Sequence, residues 1–350
     1  MSWMIYGANG YTGALVAAAA VAAGHRPVLA GRTCAAVARL AAELGVPSRT
    51  VGLDDPAALD AALAEVTVVA HCAGPFSATS APMVDACLRT GTHYVDLTGE
   101  VEVFESIYAR HEQAVAAGVA LVPGVGFDVV PTEHLAVRLA AELPTATELD
   151  IALISRGGFS AGTLLTALES AGRGGLVRRA GKLSGVPLSH RSVRVPTTRG
   201  TVVAHSVPLG DISAAYRSTG IPNITDFTVV PLGGVAGLAD PALRLLLSPR
   251  PVRWALAGAV RTVISGPSDA ARADTRSELW ARAIAPDGHV AAAGLVVANT
   301  YDFTAASALA AVERLLSEPA VPPGAWTPSQ AFGADFLATI PGGLVENRAL

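Results

Sequence analysis

The sequence predicts an α/β chain: a doubly wound parallel sheet at the N-terminus, followed by a second α+β domain with a mixed sheet. Three observations carry this. Short apolar strands alternate with helix-forming stretches from Met1 to Pro123. A glycine cluster at residues 7–13 sits between the first strand and the first helix. The rhythm changes after Pro131, where strand-like segments follow one another with glycine, proline and serine between them.

Met1 to Tyr6 reads as a buried strand that ends at a glycine, and Ala14 to Gly24 as a helix built almost wholly of strong helix formers. Strands are expected at Arg26–Ala30, Arg49–Leu53, Val66–Cys72, His93–Leu97 and Val119–Pro123. Helices are expected at Ala35–Leu44, Pro56–Glu65, Ala81–Thr90 and Phe104–Ala117. In the second part Leu149–Ser155, Ser192–Pro196, Thr201–Val207, Asp226–Val230 and Gly288–Thr300 read as strands. Pro241–Leu247 and Val252–Ser265 are apolar and helix-like, either core helices or a lid over a lipophilic ligand. A helix at Ala305–Leu316 and a Pro/Gly-rich tail close the chain. The expected division is 1–130, 131–300 and a returning segment 301–350.

Composition narrows the function classes. The 350 residues are 51% hydrophobic and 15% charged, which is a core-forming and not a disordered composition. A formal net charge of -4 gives no basic excess for nucleic acid. Cys34, Cys72 and Cys87 form no CxxC pair, so reduced thiols in a cytoplasmic protein and no zinc site are expected. The N-terminus lacks the charged start of a signal peptide, and the apolar run Ala14–Ala23 is too short to span a bilayer. A soluble protein acting on a small molecule is expected, with a homodimer through an exposed sheet edge as one arrangement.

The glycine cluster reads Gly7-Ala8-Asn9-Gly10-Tyr11-Thr12-Gly13. Gly7 permits the tight turn, Gly10 leaves room for a pyrophosphate, and Gly13 lets the helix approach the sheet. Amides near Tyr11 and Thr12 would point at phosphate, helped by the helix dipole. This is the strand–turn–helix context of a Rossmann-type dinucleotide site. The second strand then runs into Gly31-Arg32-Thr33 with no carboxylate for a ribose 2′-hydroxyl. Arg32 suits a 2′-phosphate and Thr33 adds a donor, so NADP(H) is the expected cofactor. Asp54 is placed for the adenine amino group, although Asp-Asp-Pro is also an ordinary helix start. Cys72-Ala73-Gly74-Pro75 supplies small residues beside the nicotinamide. Cys72 has no partner base in the sequence and reads as a packing residue.

The order of these motifs resembles the saccharopine dehydrogenase-like oxidoreductase family, including its trans-acting enoyl reductase branch. The resemblance rests on GANGYTG at 7–13, AGR at 30–32, CAGPF at 72–76 and THYVDLTGE at 92–100. It continues with PGVGFDVVPTE at 123–133, SAGTLLTALES at 160–170 and TPSQAFG at 327–333. It implies a pyridine-nucleotide oxidoreductase with a Rossmann domain, an α/β substrate domain and last helices that pack back on the first domain. It does not fix the bond reduced.

Tyr94, Asp96, Glu100 and Asp128 are the candidate catalytic residues. Tyr94 could give a proton to a substrate oxygen. Asp96 and Glu100 could hold a cation or orient a water, or instead cap loops. Asp128 is a hinge anchor or a site residue. The single lysine, Lys182, has no neighbours that suggest a Schiff base. No metal-ligand cluster is visible. The leading expectation is an NADPH-dependent reductase of a C=C or C=N bond in a lipophilic or natural-product substrate. A saccharopine-type amino-acid dehydrogenase and a non-catalytic NADP(H)-binding module are the alternatives. The arginines at 156, 173, 178, 179, 191, 194 and 199 would serve the first alternative by binding carboxylates.

Overall fold

The computed structural model describes residues 2–155, 158, 160, 174–229 and 266–349. The expected Gly-rich segment 156–163, Arg173 and the apolar stretches 241–247 and 252–265 lie outside the described residues. The chain divides into two units, Met1–Val130 with Tyr301–Gly343 and Pro131–Thr300 with Leu344–Leu350.

The first unit is the expected doubly wound sheet. Its strands are β1 (Trp3–Tyr6), β2 (Val28–Gly31), β3 (Ser48–Thr50), β4 (Val68–His71), β5 (His93–Asp96), β6 (Ala120–Val122) and β15 (Gly324–Ala325). All pairs are parallel, in the order β15-β6-β5-β4-β1-β2-β3. The order reverses between β1 and β4, and that switch point opens a crevice at the carboxyl ends of the strands. Between the strands run α1 (Tyr11–Ala22), α2 (Cys34–Leu44), α3 (Pro56–Leu63), α4 (Phe76–Thr90), α5 (Val101–Tyr108) and α6 (His111–Ala117). The strands read as continuous apolar runs because helices cover both faces: Met4, Ile5, Val68 and Val69 are all buried.

Two helix boundaries differ from expectation. α4 begins at Phe76 and not at Ala81, because its first amides are capped by a carboxylate from elsewhere in the chain. Pro82 therefore lies inside the helix and not at its start. The expected helix 104–117 is two helices, broken at Arg110, whose guanidinium pairs with Asp85 on α4. The Pro/Gly-rich tail also holds more order than expected. β15 extends the first sheet beside β6, and two short helices follow, α11 (Pro328–Phe332) and α12 (Phe336–Thr339). α11 starts on a capping box between Thr327 and Gln330.

The second unit is the mixed sheet. Its strands are β7 (Glu148–Ile154), β8 (Gly175–Arg179), β9 (Lys182–Val186), β10 (Ser192–Thr197), β11 (Gly200–Ser206), β12 (Asn223–Thr228), β13 (Ser277–Ile284), β14 (Val290–Val297) and β16 (Leu344–Ala349). Among the described residues, only β12 and β7 pair in parallel; the other pairings are antiparallel. Four elements here escape the sequence pattern. α7 (Val130–Glu142) begins around Pro131, which sits in a first turn that needs no proline N–H. The β8–β9 hairpin turns at Ala180-Gly181, both at positive φ, where the usual Asn-Gly signal is missing. β13 and α8 (Asp211–Thr219) were not marked by their composition. α9 (Asp269–Ala273) is a single short turn of helix, and α10 (Thr300–Leu316) follows β14. Among the described residues, no helix is long and apolar enough to cross a membrane.

The closest approach to backbone in the first unit is at Gly13. A Cβ there would lie 2.3 Å from the Gly7 carbonyl oxygen and 3.0 Å from Ala8 Cα. Both neighbours are backbone, so nothing can rotate away. Gly13→Ala is expected to destabilise this unit by about 1–3 kcal/mol, read as a lower midpoint in a circular-dichroism melt. An unchanged midpoint would mean that the turn has slack the coordinates do not contain.

Candidate functional site

The glycine turn is held to the sheet by its own backbone. Gly7 and Ala8 N–H both donate to Ala30 O, at 2.8 and 3.2 Å, and Gly10 N–H donates to Gly7 O at 3.0 Å. Gly7 sits at φ 81, and a Cβ there would lie 2.8 Å from Ala73. The turn therefore presses directly on the loop after β4, which joins two of the segments expected at the cofactor. A Cβ on Gly10 would meet only the Gly7 oxygen, at 3.2 Å, and otherwise open space. Gly10 is also the N-cap of α1, without a side-chain cap and with no acidic residue in the first turn. A helix start without a side-chain cap, beside a position that only glycine leaves open, fits the pyrophosphate of a dinucleotide. The Asn9 side chain reaches towards Gly31 at the end of β2, 3.0 Å from where a Cβ would stand. Tyr11 and Thr12 begin α1, half-buried, and Gly13 packs under it.

Arg32 and Thr33 are exposed at the end of β2. Thr33 is the N-cap of α2 but its hydroxyl makes no cap bond, which leaves that helix start open as well. Arg32 and Asp54 both act on the buried Tyr6 phenol. Burial raises its pKa most, Arg32 lowers it and Asp54 raises it. Tyr6 ties β1 to the β3 loop by donating to Val51 O at 3.1 Å. The two readings of Asp-Asp-Pro separate cleanly. Asp55 caps α3, accepting from Ala58 N–H at 3.0 Å, and Asp54 remains exposed outside that cap. A 2′-phosphate beside Arg32 and an adenine beside Asp54 are both compatible with these positions.

Cys72, Ala73, Gly74 and Pro75 form the loop between β4 and α4. Burial, then the Asp96 charge, pushes the Cys72 thiol up to about 12, so it carries no thiolate at neutral pH. The residue that fixes this loop is one the sequence reading passed over. His71, fully buried at the end of β4, contacts the hydroxyl of Thr79 through Nε2 at 3.0 Å. That hydroxyl donates to Ala73 O at 2.6 Å, so Nε2 is the protonated nitrogen and donates to it. Burial pushes His71 down to about 3, and the ring is neutral. Its only sequence signal was a polar residue closing an apolar strand, Val68-Val69-Ala70-His71.

The four catalytic candidates lie along β5 and the loops beyond it. Tyr94 is fully buried and donates its hydroxyl to Asp96 Oδ2 at 2.6 Å. Asp96 Oδ1 accepts from Thr98 N–H at 3.0 Å and Gly124 N–H at 2.8 Å. Burial, only partly offset by the Tyr94 hydroxyl and the two amides, raises Asp96 to about 6. Thr98 in turn accepts from Glu100 N–H at 3.1 Å. Glu100 accepts from Phe76 and Ser77 N–H at 2.8 Å each, one on either carboxylate oxygen, and so caps α4. Of the two readings open for Glu100, this geometry matches the capping one, and the Tyr94 hydroxyl is turned to Asp96. Both groups are spent on holding loops. Asp128 is half-buried, its carboxylate lies against Gly99 (2.8 Å from a Cβ placed there), and burial raises it to about 6.

The start of α10 closes the arrangement within the first unit. Tyr301 packs edge-on against Tyr11 with ring centroids 4.9 Å apart. Thr304 accepts from Phe127 N–H at 3.1 Å and Ser307 donates to Val125 O at 2.7 Å. A returning helix was expected here, but not its contact with the glycine turn.

Comparison with known proteins agrees with this geometry. Residues 3–122 match the family described as saccharopine dehydrogenase NADP binding domain. A putative trans-acting enoyl reductase of Mycobacterium tuberculosis (strain ATCC 25618 / H37Rv) is 36% identical over 180 residues, 47% of this chain and 43% of that protein. The saccharopine dehydrogenase-like oxidoreductase of Bos taurus is 32% identical over 150 residues, 37% of this chain and 35% of that protein. The matched part thus spans less than half the length of these curated relatives. Apo saccharopine dehydrogenase (L-Glu forming) from Saccharomyces cerevisiae superposes with a TM-score of 0.67 over 100% of this chain and 99% of that one. At 13% identity that likeness is one of fold alone. Residues 3–122 thus resemble the saccharopine dehydrogenase NADP binding domain, and the uncapped glycine turn and the acid-free, arginine-bearing end of β2 suit NADP(H).

Proposed function

We propose that the protein is an NADPH-dependent reductase of an enoyl C=C bond in a small lipophilic or natural-product substrate. The observation that carries the proposal is the exposed Arg32 at the end of β2, without a neighbouring carboxylate on that strand, beside an uncapped glycine turn. The choice of an enoyl bond over an imine leans on the trans-acting enoyl reductases among the relatives. Bound NADPH supplies the hydride. The chain supplies the phosphate cradle, the 2′-phosphate contact and a proton for the second carbon.

Asp128 is the group best suited to handle that proton. It keeps some solvent access, and a carboxyl raised to about 6 is partly protonated near neutral pH, where a general acid works best. Asp96 is raised to about 6 as well, but its oxygens already accept from Tyr94, Thr98 and Gly124, which makes it a brace. Glu100 and His71 are positioning residues for the loop between β4 and α4.

Two outcomes are expected. Arg32→Ala should weaken NADPH by about 10–100-fold, the worth of a hydrogen-bonded charge, and leave NADH nearly unchanged in side-by-side calorimetric titrations. An equal loss for both nucleotides would remove the 2′-phosphate role. With an enoyl thioester as substrate, turnover should fall as pH rises through about 6, because the acid form of Asp128 is the active one. Asp128→Asn should lower kcat by about 10²–10⁴-fold, flatten that limb and leave NADPH affinity intact. A variant that keeps both kcat and the pH limb would rule out Asp128 as the proton donor.

A further inference from the structure

Among the described residues of the second unit, two arginines share a single acid. Arg191, just before β10, and Arg282, on β13, both reach Asp150 on β7. Arg191 Nη2 lies 3.1 Å and Arg282 Nη2 2.7 Å from the same oxygen, Oδ2. The two nitrogens are therefore at most about 5.8 Å apart. Asp150 is 1% exposed, whereas the arginine side chains are 40% and 32% exposed. One buried carboxylate thus sits beneath two guanidiniums whose outer edges face solvent.

The donors outnumber the acceptors. A guanidinium is a fork of N–H groups with no acceptor of its own. Besides Asp150 Oδ2, the acceptor present among the described residues is the Thr225 hydroxyl, 3.2 Å from Arg191 Nη1. Arg282 Nε is buried and has no hydrogen-bond partner. An unpaired buried donor of this kind costs free energy unless something supplies an acceptor. The surroundings favour an anion. His190 is beside Arg191 and bonded to the Ser206 hydroxyl at 2.8 Å; burial first, then the charges of Arg179 and Arg191, hold its imidazole below the usual range, so the positive charge here belongs to the arginines. The guanidinium carbons stand over aromatic rings, Arg191 5.4 Å from the Phe227 centroid and Arg282 5.6 Å from that of Trp280. Those rings belong to a buried apolar cluster with Ala152, Ile154, Val195 and Ala204. Stacked on this floor, both forks are held in place before any ligand arrives, so little side-chain entropy remains to be lost.

We propose that Arg191 and Arg282 form an anion-binding site that takes a carboxylate or a phosphate group, bridged between the two guanidiniums. Two oxygens of one such group can accept from both nitrogens across the observed span, as bidentate arginine contacts do elsewhere. Asp150 is then the residue that orients the pair, and its single charge leaves the site net positive. The site is defined within the second unit alone and does not depend on the reductase reading.

The test is calorimetric titration of the full chain in chloride-free buffer, with inorganic phosphate in one series and glutarate in the other. The Arg32→Ala variant is run in parallel, so that phosphate bound at the nucleotide site is subtracted. Saturable binding is expected in both proteins. It should weaken by about 10-fold or more in Arg282→Gln and, independently, in Arg191→Gln, while their melts stay close to the parent. Saturation by phosphate alone assigns the site to a phosphoester, and saturation by glutarate alone to a carboxylate. Binding no stronger than that of added chloride, or binding unchanged in both arginine variants, would overturn the proposal.

Discussion

The arrangement of the first unit depends on one buried carboxylate. Asp96 ends β5 and gathers the Tyr94 hydroxyl and the amides of Thr98 and Gly124. From there a chain of short-range bonds runs on: Thr98 receives the Glu100 amide, and Glu100 receives the first two amides of α4. The loop after β6 is held in the same way, since Val125 N–H donates to the Asp96 carbonyl at 2.8 Å. Three segments that meet at the carboxyl edge of the sheet are thus positioned from one residue. Each bond contributes only about 1 kcal/mol net, but leaving any of these buried amides unpaired would cost more than that.

The cofactor face is built differently, from close backbone approach. Gly7 against Ala73 and Gly13 against Gly7 leave no room for a side chain, and this is why the turn can present bare amides. His71 and Thr79 then hold the other side of the same contact by engaging Ala73 O. Tyr301 covers Tyr11 from α10. The glycine turn is consequently pinned from three directions, by β2, by the loop after β4 and by a helix some 290 residues further along the chain.

This difference explains what could be read from the sequence. Strand–helix alternation and the glycine spacing report local geometry, so the parallel sheet and the position of the nucleotide turn were legible. Arg32 was legible because the β2 end is a fixed place in the pattern. The roles of Tyr94, Asp96 and Glu100 were not. Their residue types suit catalysis and capping equally, and only the partners decide between them. Glu100 caps a helix that starts 24 residues earlier, and that distant cap also moved the start of α4 from Ala81 to Phe76. In the second unit, α7 was hidden by a proline that reads as a break yet fits a first turn, and the β8–β9 hairpin by an Ala-Gly turn in place of Asn-Gly. The Arg191–Asp150–Arg282 group joins residues 41 and 132 positions apart across several strands, and no local pattern announces it.

The charge on Asp96 is the one part of this brace that bracing does not require. An amide at the same position would accept from Thr98 and Gly124 through its oxygen, and a rotated Tyr94 hydroxyl could accept from its nitrogen. Retaining the carboxylate has a cost. The folded state raises the group from 3.8 to about 6, and so holds its proton more tightly than the unfolded chain does. Its contribution to stability is therefore fully present below pH 4 and is lost as pH rises through about 6. Between low and neutral pH this lowers the stability of the folded state by roughly 3 kcal/mol. That penalty falls on a residue beside the loop after β4, where burial first and the Asp96 charge second raise both the Tyr94 phenol and the Cys72 thiol. A neutral amide would brace the loops equally well and would leave both groups protonated. What the carboxylate alone adds is a negative charge at the carboxyl edge of the sheet, carried at that cost to the fold.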